Sequence, residues 1–158
     1  MENEILFMLA ARLEHKAAEC YEKISLLPAA KGTLAQDLQK LSQEEIVHAN
    51  LLKSGQNYAA SDPDLFEADA LTEKDLRGYL ASIEDLIRDV ERKALTLPDA
   101  LRRIHDLEIL LEAAHLATVV KIKDPVIKKL FSALSQGDKQ HKERLDQILQ
   151  ALASGRPA

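Results

Sequence analysis

Apolar residues recur at alternating spacings of three and four along most of this chain, the pattern of helices that each bury one stripe. The first run extends from about Glu2 to Leu27 and is stopped by Pro28. A short loop ends at Lys31-Gly32-Thr33, where Thr33 and Gln36 have the spacing of a capping box. The second run covers about Leu34 to Ala59 and is broken by Ser61-Asp62-Pro63. Residues 61–71 read as loop. Thr72 to about Ala94 is helical again, with Leu76, Tyr79, Leu80, Ile83, Leu86, Ile87 and Val90 as its stripe. Another run starts near Pro98 and ends near Lys123. Asp124-Pro125 then supplies an N-cap followed by proline at the first helical position, opening a last helix to about Leu152.

Four long helices with an extra one between the second and third are therefore predicted. The short first and last connections make two antiparallel hairpins. The middle connection, roughly 35–40 residues with its own helix, suits a four-helix bundle with one long crossover. Residues 1–153 read as one domain and 154–158 as a frayed tail.

The seams that should be apolar are interrupted at their middles. Helix one runs Phe7, Ala10, Glu14, Ala17, Tyr21, Ile24, and the second long helix Leu34, Leu38, Leu41, Glu45, His48, Leu52. The third long helix runs Leu101, Ile104, Glu108, Leu111, His115, Thr118, Ile122, and the last Ile127, Phe131, Leu134, Asp138, His141, Leu145, Ile148. Each contributes one carboxylate, and in two helices a histidine follows three residues later. At 1.5 Å per residue, Glu14 and Glu45 lie roughly 18–20 Å from their shared turn and Glu108 and Asp138 roughly 20–22 Å from theirs, so all four meet at one level if the hairpins dock in register. The chain also repeats itself. Leu41-Ser-Gln with Glu45, His48 and Leu52 recurs as Leu134-Ser-Gln with Asp138, His141 and Leu145, and Leu13-Glu14 recurs as Leu107-Glu108.

A buried unpaired carboxylate costs several kcal/mol, and four together force protonation of some near neutral pH. No lysine or arginine stands on the seams at this level. Two divalent cations would balance four negative charges, and two neutral imidazoles complete a ligand set suited to non-haem iron or manganese. One Glu from each of two helices and an acid-x-x-His from each of the other two is a dimetal constellation of helical bundles.

Composition narrows the picture further. Of 158 residues, 26 are acidic and 21 basic, a net charge of −5 that speaks against nucleic acid as a partner. No apolar run reaches the length of a membrane span and no basic leader opens the chain, so a cytoplasmic protein without membrane contact is expected. The one cysteine, Cys20, excludes a disulfide framework, a cysteine zinc site and a four-cysteine iron centre within this chain.

On Glu14-x6-Tyr21, Glu45-x2-His48, Glu108 and Asp138-x2-His141, the sequence resembles the rubrerythrin and bacterioferritin branch of the ferritin-like superfamily. The resemblance implies two iron ions, with manganese or a mixed pair as alternatives. Glu14 and His48 would hold one metal and Glu108 and His141 the other, with Glu45 and Asp138 bridging. Tyr21, tilted back towards Glu14 along its helix, would be a hydrogen-bond donor supporting the ligands. Asp138 stands where the family usually has Glu, and Gly137 before it loosens the helix by about 1 kcal/mol relative to Ala. Leu111 occupies the place of a further rubrerythrin glutamate, which shifts the likeness toward the symmetric bacterioferritin type.

The implied activity is reduction of hydrogen peroxide or dioxygen with electrons from a separate donor protein. Ferroxidation with iron handling and a metal-free interaction bundle are the alternatives. His115, a full two turns beyond Glu108, is expected in a supporting or core role away from the metals. His15, His105, Glu44, Glu112 and Glu143 are expected on solvated faces, and Cys20 as a small buried hydrophobe. Ile5, Leu6, Leu9 and Leu13 give helix one a wider apolar arc than one core needs, which predicts a second subunit, as in a homodimer, or the crossover helix packed there.

Overall fold

The computed structural model describes residues 2–59 and 72–155, and every regular element among them is helical. The elements are α1 (Glu2–Ser25), α2 (Thr33–Ala59), α3 (Glu73–Glu91), α4 (Leu97–Lys121) and α5 (Pro125–Ala153). The predicted loop at 61–71 and the last residues of the predicted tail lie outside the described residues. None of the described helices is long and apolar enough to cross a membrane.

Local chemistry sets the boundaries. Thr72 caps α3 in a full capping box with Asp75. Thr96 caps α4 through the Asp99 amide, and the Asp124 carboxylate takes the Val126 and Ile127 amides ahead of Pro125. The sequence reads Thr33 as the residue ahead of the second helix, and the helix begins one residue earlier, at Thr33 itself. Gly32 takes a left-handed φ of 61° and its carbonyl accepts from the Gln36 amide, so the helix already includes Thr33. α3 stops at Glu91, three residues before the sequence suggests, because the chain reverses at Lys93 with φ 55°.

Cross-helix contacts fix the helix directions. Glu14 faces His48, Ser42 Oγ donates to the Ala18 carbonyl at 2.8 Å, and Gly55 lies against Phe7, so α1 and α2 run antiparallel. His115 with Asp138 and Lys142 with Glu112 give α4 and α5 the same relation. α1 packs on α2 and α4, and α5 packs on α2 and α4, closing a cycle of four long helices. α3 lies outside this cycle against α1 and α4. Its buried stripe (Leu76, Leu80, Ile83, Leu86, Ile87 and Val90) faces the bundle, and Arg12–Glu84 and Lys23–Glu91 tie it to α1. Leu9 and Leu13 are buried and Ile5 and Leu6 partly so, and the crossover helix α3, one of the two predicted coverings, packs on α1.

The core is apolar above and below one level. On one side Phe7 meets Phe131 edge to face at 5.7 Å. On the other, Ile24, Leu38, Leu101, Ile104, Leu145 and Ile148 are all buried. Between them lie the acids and histidines.

Candidate metal centre

α1, α2, α4 and α5 bring Glu14, Glu45, His48, Glu108, Asp138 and His141 into one buried cluster. Glu14, Glu45 and Asp138 expose 0% of their surface, Glu108 1% and His141 2%, and His48 is the most open at 9%. The heptad register explains the meeting: each acid occupies a core position, and its side chain therefore points at the bundle axis.

Glu45 sits at the centre. Its Oε2 is 3.0 Å from His48 Nδ1 and its Oε1 is 2.8 Å from His141 Nδ1, so one carboxylate spans both imidazoles. Those rings stack with centroids 5.2 Å apart. His48 Nδ1 also lies 3.8 Å from Glu14 Oε2 and 3.9 Å from Asp138 Oδ1, while His141 Nδ1 lies 3.7 Å from Glu108 Oε1. Donor atoms of Glu45, His48 and His141 fall within 4.8 Å of one another, as do those of Glu14, His48 and Asp138.

Four oxygens here have no hydrogen-bond partner: both of Glu14, Oε2 of Glu108 and Oδ1 of Asp138. Buried polar atoms are nearly always satisfied, and leaving one unmade costs about 1–3 kcal/mol, more where it is charged. Among the described residues no lysine or arginine pairs with any of the four acids. Two divalent cations would satisfy this donor set in both charge and coordination, and the residues therefore fit the dimetal expectation.

Without cations, protons do the balancing. Burial and the neighbouring Glu45 charge raise the Glu14 carboxyl to about 7. Burial works against a charged His48, but Glu14 and Glu45 outweigh it and hold the imidazolium up to about 10. Burial likewise opposes a charged His141, and Glu108 and Glu45 carry it to about 11. Asp138 is raised by burial, with His115 opposing. The protonated imidazoles are the stand-ins for the missing positive charge.

Three residues depart from the expectations, and a fourth, Tyr21, supplies the expected hydrogen bond but not along its own helix. Its hydroxyl crosses the bundle and donates to Glu108 Oε1, because at full burial it finds its acceptor on the facing helix rather than its own. Burial and the charges of Glu108 and Glu45 keep this phenol protonated. His115 is not remote from the cluster: Nδ1 is 2.6 Å from Asp138 Oδ2 and Nε2 is 3.7 Å from Glu14 Oε1. The distance along α4 is as the sequence gives it, but Asp138 and Glu14 extend toward that side. Glu44 is not simply solvated, since its Oε2 lies 3.1 Å from His141 Nε2. Such a carboxylate fixes which ring nitrogen is left for a metal. Gly137 has a packing reason: a Cβ there would stand 2.4 Å from the His48 ring.

The remaining residues lie off the cluster. His15 contacts Lys53, His105 pairs with Asp146, Glu112 with Lys142 and Glu143 with Lys139, the first three being half-buried rather than fully solvated. Cys20 is buried and unpaired, with its thiol pushed up by burial.

Asp138 lies with Glu14, His48 and His115 and forms no pair with His141 among the described residues. A surface groove of about 180 Å³ between α2 and α5, lined by Asp37, Lys40, Glu44, Gln140, His141 and Arg144, reaches the cluster at His141. No family model, curated protein or solved structure matches the chain.

Proposed function

We propose that the chain is a ferritin-like dimetal protein, of the rubrerythrin and bacterioferritin type without a rubredoxin centre, that reduces hydrogen peroxide or dioxygen using electrons from a separate donor protein. The observation that carries this reading is the set of four orphaned carboxylate oxygens at full burial, with imidazoles and no basic side chain beside them. The closed cycle of four long helices and the long crossover between its halves support the ferritin-like architecture.

Glu14 and His48 would hold one ion, and Glu108 and His141 the other, with Glu45 spanning both. Those residues would hold a ferrous pair, whose chemistry would be to give two electrons to an O–O bond. The protein's own part is geometry and proton supply. Glu45 sets the spacing because its two oxygens already address two imidazoles. Tyr21 is the buried O–H donor nearest the Glu108 end and keeps its proton across the physiological range. The apolar layers of Phe7 and Phe131 on one side and Ile24 and Leu38 on the other limit water.

The test is metal content of protein purified anaerobically, followed by peroxide consumption by the reduced protein. Near two irons per chain and a turnover abolished by Glu45→Ala are expected. Unchanged turnover in that variant sinks the oxidoreductase reading. Ferroxidation uses the same residues, and the groove that reaches His141 past Glu44 favours it as the second reading. Release of ferric iron without net peroxide demand from a donor would select it.

A further inference from the structure

The internal repeat relates Glu14 to Glu108, Tyr21 to His115, Glu45 to Asp138, His48 to His141, and Glu44 to Gly137. The two ends of the cluster should then be alike, and they are not. At one end Glu14, His48 and Asp138 bring donor atoms within 4.8 Å of one another, with His115 bridging from Asp138 toward Glu14. Glu45 adds a further oxygen at 3.0 Å from His48. At the other end Glu108 and His141 share only Glu45, because the shorter Asp138 stays with the first end. The repeat partners at 44 and 137 differ in the same sense. Glu44, half-exposed in the groove, touches His141, whereas bare Gly137 lets the α5 backbone close on His48.

Resting on the dimetal reading above, we propose that the two ends take cations in order and unequally. The Glu14–His48–Asp138 end binds first and retains its ion. The Glu108–His141 end, reached through the α2–α5 groove past Glu44, binds a second ion that exchanges. Two buried carboxylates of its own, Glu14 and Asp138, against the single buried Glu108 at the other end, give the first end the greater buried charge and donor number, and these set affinity for a divalent cation. His115 acts there as a positioning residue that holds the short Asp138 toward Glu14. Glu44 does the same for the His141 ring and offers an incoming cation its first carboxylate.

The experiment is anaerobic titration of the metal-stripped full chain with Co²⁺, read by calorimetry and by visible absorption. The wild type should show two steps separated by at least about tenfold in Kd. His115→Gln should weaken the first step roughly 10–100-fold and spare the second, the usual cost of losing a ligand's supporting partner. Glu44→Gln, at a half-exposed position that leaves the core intact, should weaken only the second and slow its approach to equilibrium. A single step of two equivalent ions overturns the inference, as does a Glu44→Gln effect confined to the first step or an unaltered first step in folded His115→Gln. If His115→Gln does not fold, the Glu44→Gln titration decides. A folded wild type that binds no Co²⁺ at all overturns the dimetal reading itself, which is a different result from two equal steps.

Discussion

The middle of the bundle and the layers beside it are built from the same helices with the same register, yet they follow opposite rules. Around Phe7 and Phe131, where the hydroxyl of Thr118 turns back to its own helix at the Ala114 carbonyl, and around Ile24, Leu38 and Leu101, the seam positions are otherwise apolar and filled. At the level between them the same register delivers four acids and three histidines, with four oxygens unsatisfied. The apolar layers gain free energy from burial, about 25 cal/mol per Å². The polar layer loses it unless something positive arrives. Stability and chemistry are thus separated by layer within one heptad pattern, and perturbations that act on one layer should leave the other alone.

The largest effect expected is that of removing metal. An ion held only by the folded state stabilises it by RT ln(1 + [L]/Kd), about 4 kcal/mol at a thousandfold excess over Kd. At roughly 2–4 °C per kcal/mol for a chain of this size, chelation should lower Tm by about 10 °C. Calorimetry of the loaded protein with and without chelator checks this. An unchanged Tm would mean that the middle layer is a metal-free polar core.

Next in size is a pH dependence of the metal-free protein. Glu14, His48 and His141 all have folded-state values above their unfolded ones, at about 7, 10 and 11. The stability they contribute is therefore present at low pH and lost as pH rises. Glu14 gives it up between about 4.5 and 7, and the histidines between about 6.5 and 11. Urea midpoints of stripped protein should fall steadily from pH 6 to pH 9. With metal bound the trend should flatten or reverse, because the ions displace those protons and bind more tightly as pH rises. A metal-free midpoint that rises over this range would contradict the protonated cluster.

The middle layer was more legible in sequence than the way its parts address one another. The six predicted ligands meet because register alone decides which residues face the axis, and register is visible in spacing. The start of α5 followed from Asp124 and Pro125, whose effects are local, whereas α1 stops at Ser25, two residues short of the end that Pro28 predicts. The partners of Tyr21, His115 and Glu44 were not legible, for a common reason. Each makes its contact across a helix pair, to Glu108, Asp138 and His141 respectively, and such contacts depend on the rotation and spacing of facing helices. The repeat held one usable signal: Tyr21 and His115 are equivalent positions, so a supporting role for one at the cluster implied it for the other. Gly137 was visible only as a helix weakener, since its close approach to His48 needs α2 and α5 in place.

Two glycines sharpen the comparison at the scale of a single methyl. Gly55 lies in the apolar layer, where a Cβ would stand 2.5 Å from Phe7 and 3.1 Å from Leu130. Gly137 lies in the polar layer, 2.4 Å from the His48 ring. Overpacking of this kind costs about 1–3 kcal/mol, so Gly55→Ala and Gly137→Ala should destabilise the stripped protein to a similar extent. Only Gly137→Ala should also cut metal affinity, because the group it displaces is a donor. Equal losses of metal from both variants would show that the layers are mechanically coupled.

The smallest effect concerns the helix ends. The Asp124 carboxylate accepts from the Val126 and Ile127 amides at 2.8 and 3.0 Å, at the turn joining α4 to α5. Replacing it with Ala strips those amides of their partner and should cost about 1 kcal/mol, a shift of roughly 2–4 °C in Tm. The turn is roughly 20 Å from Asp138 along the helix, and Asp138 itself is fixed by His115 and by the α5 seam rather than by the cap. Metal affinity of Asp124→Ala should therefore equal that of the wild type once both are folded. A measurable fall in affinity would mean that the register of α5 is set from its first turn, and that the polar layer depends on the ends of the bundle as much as on its own contacts.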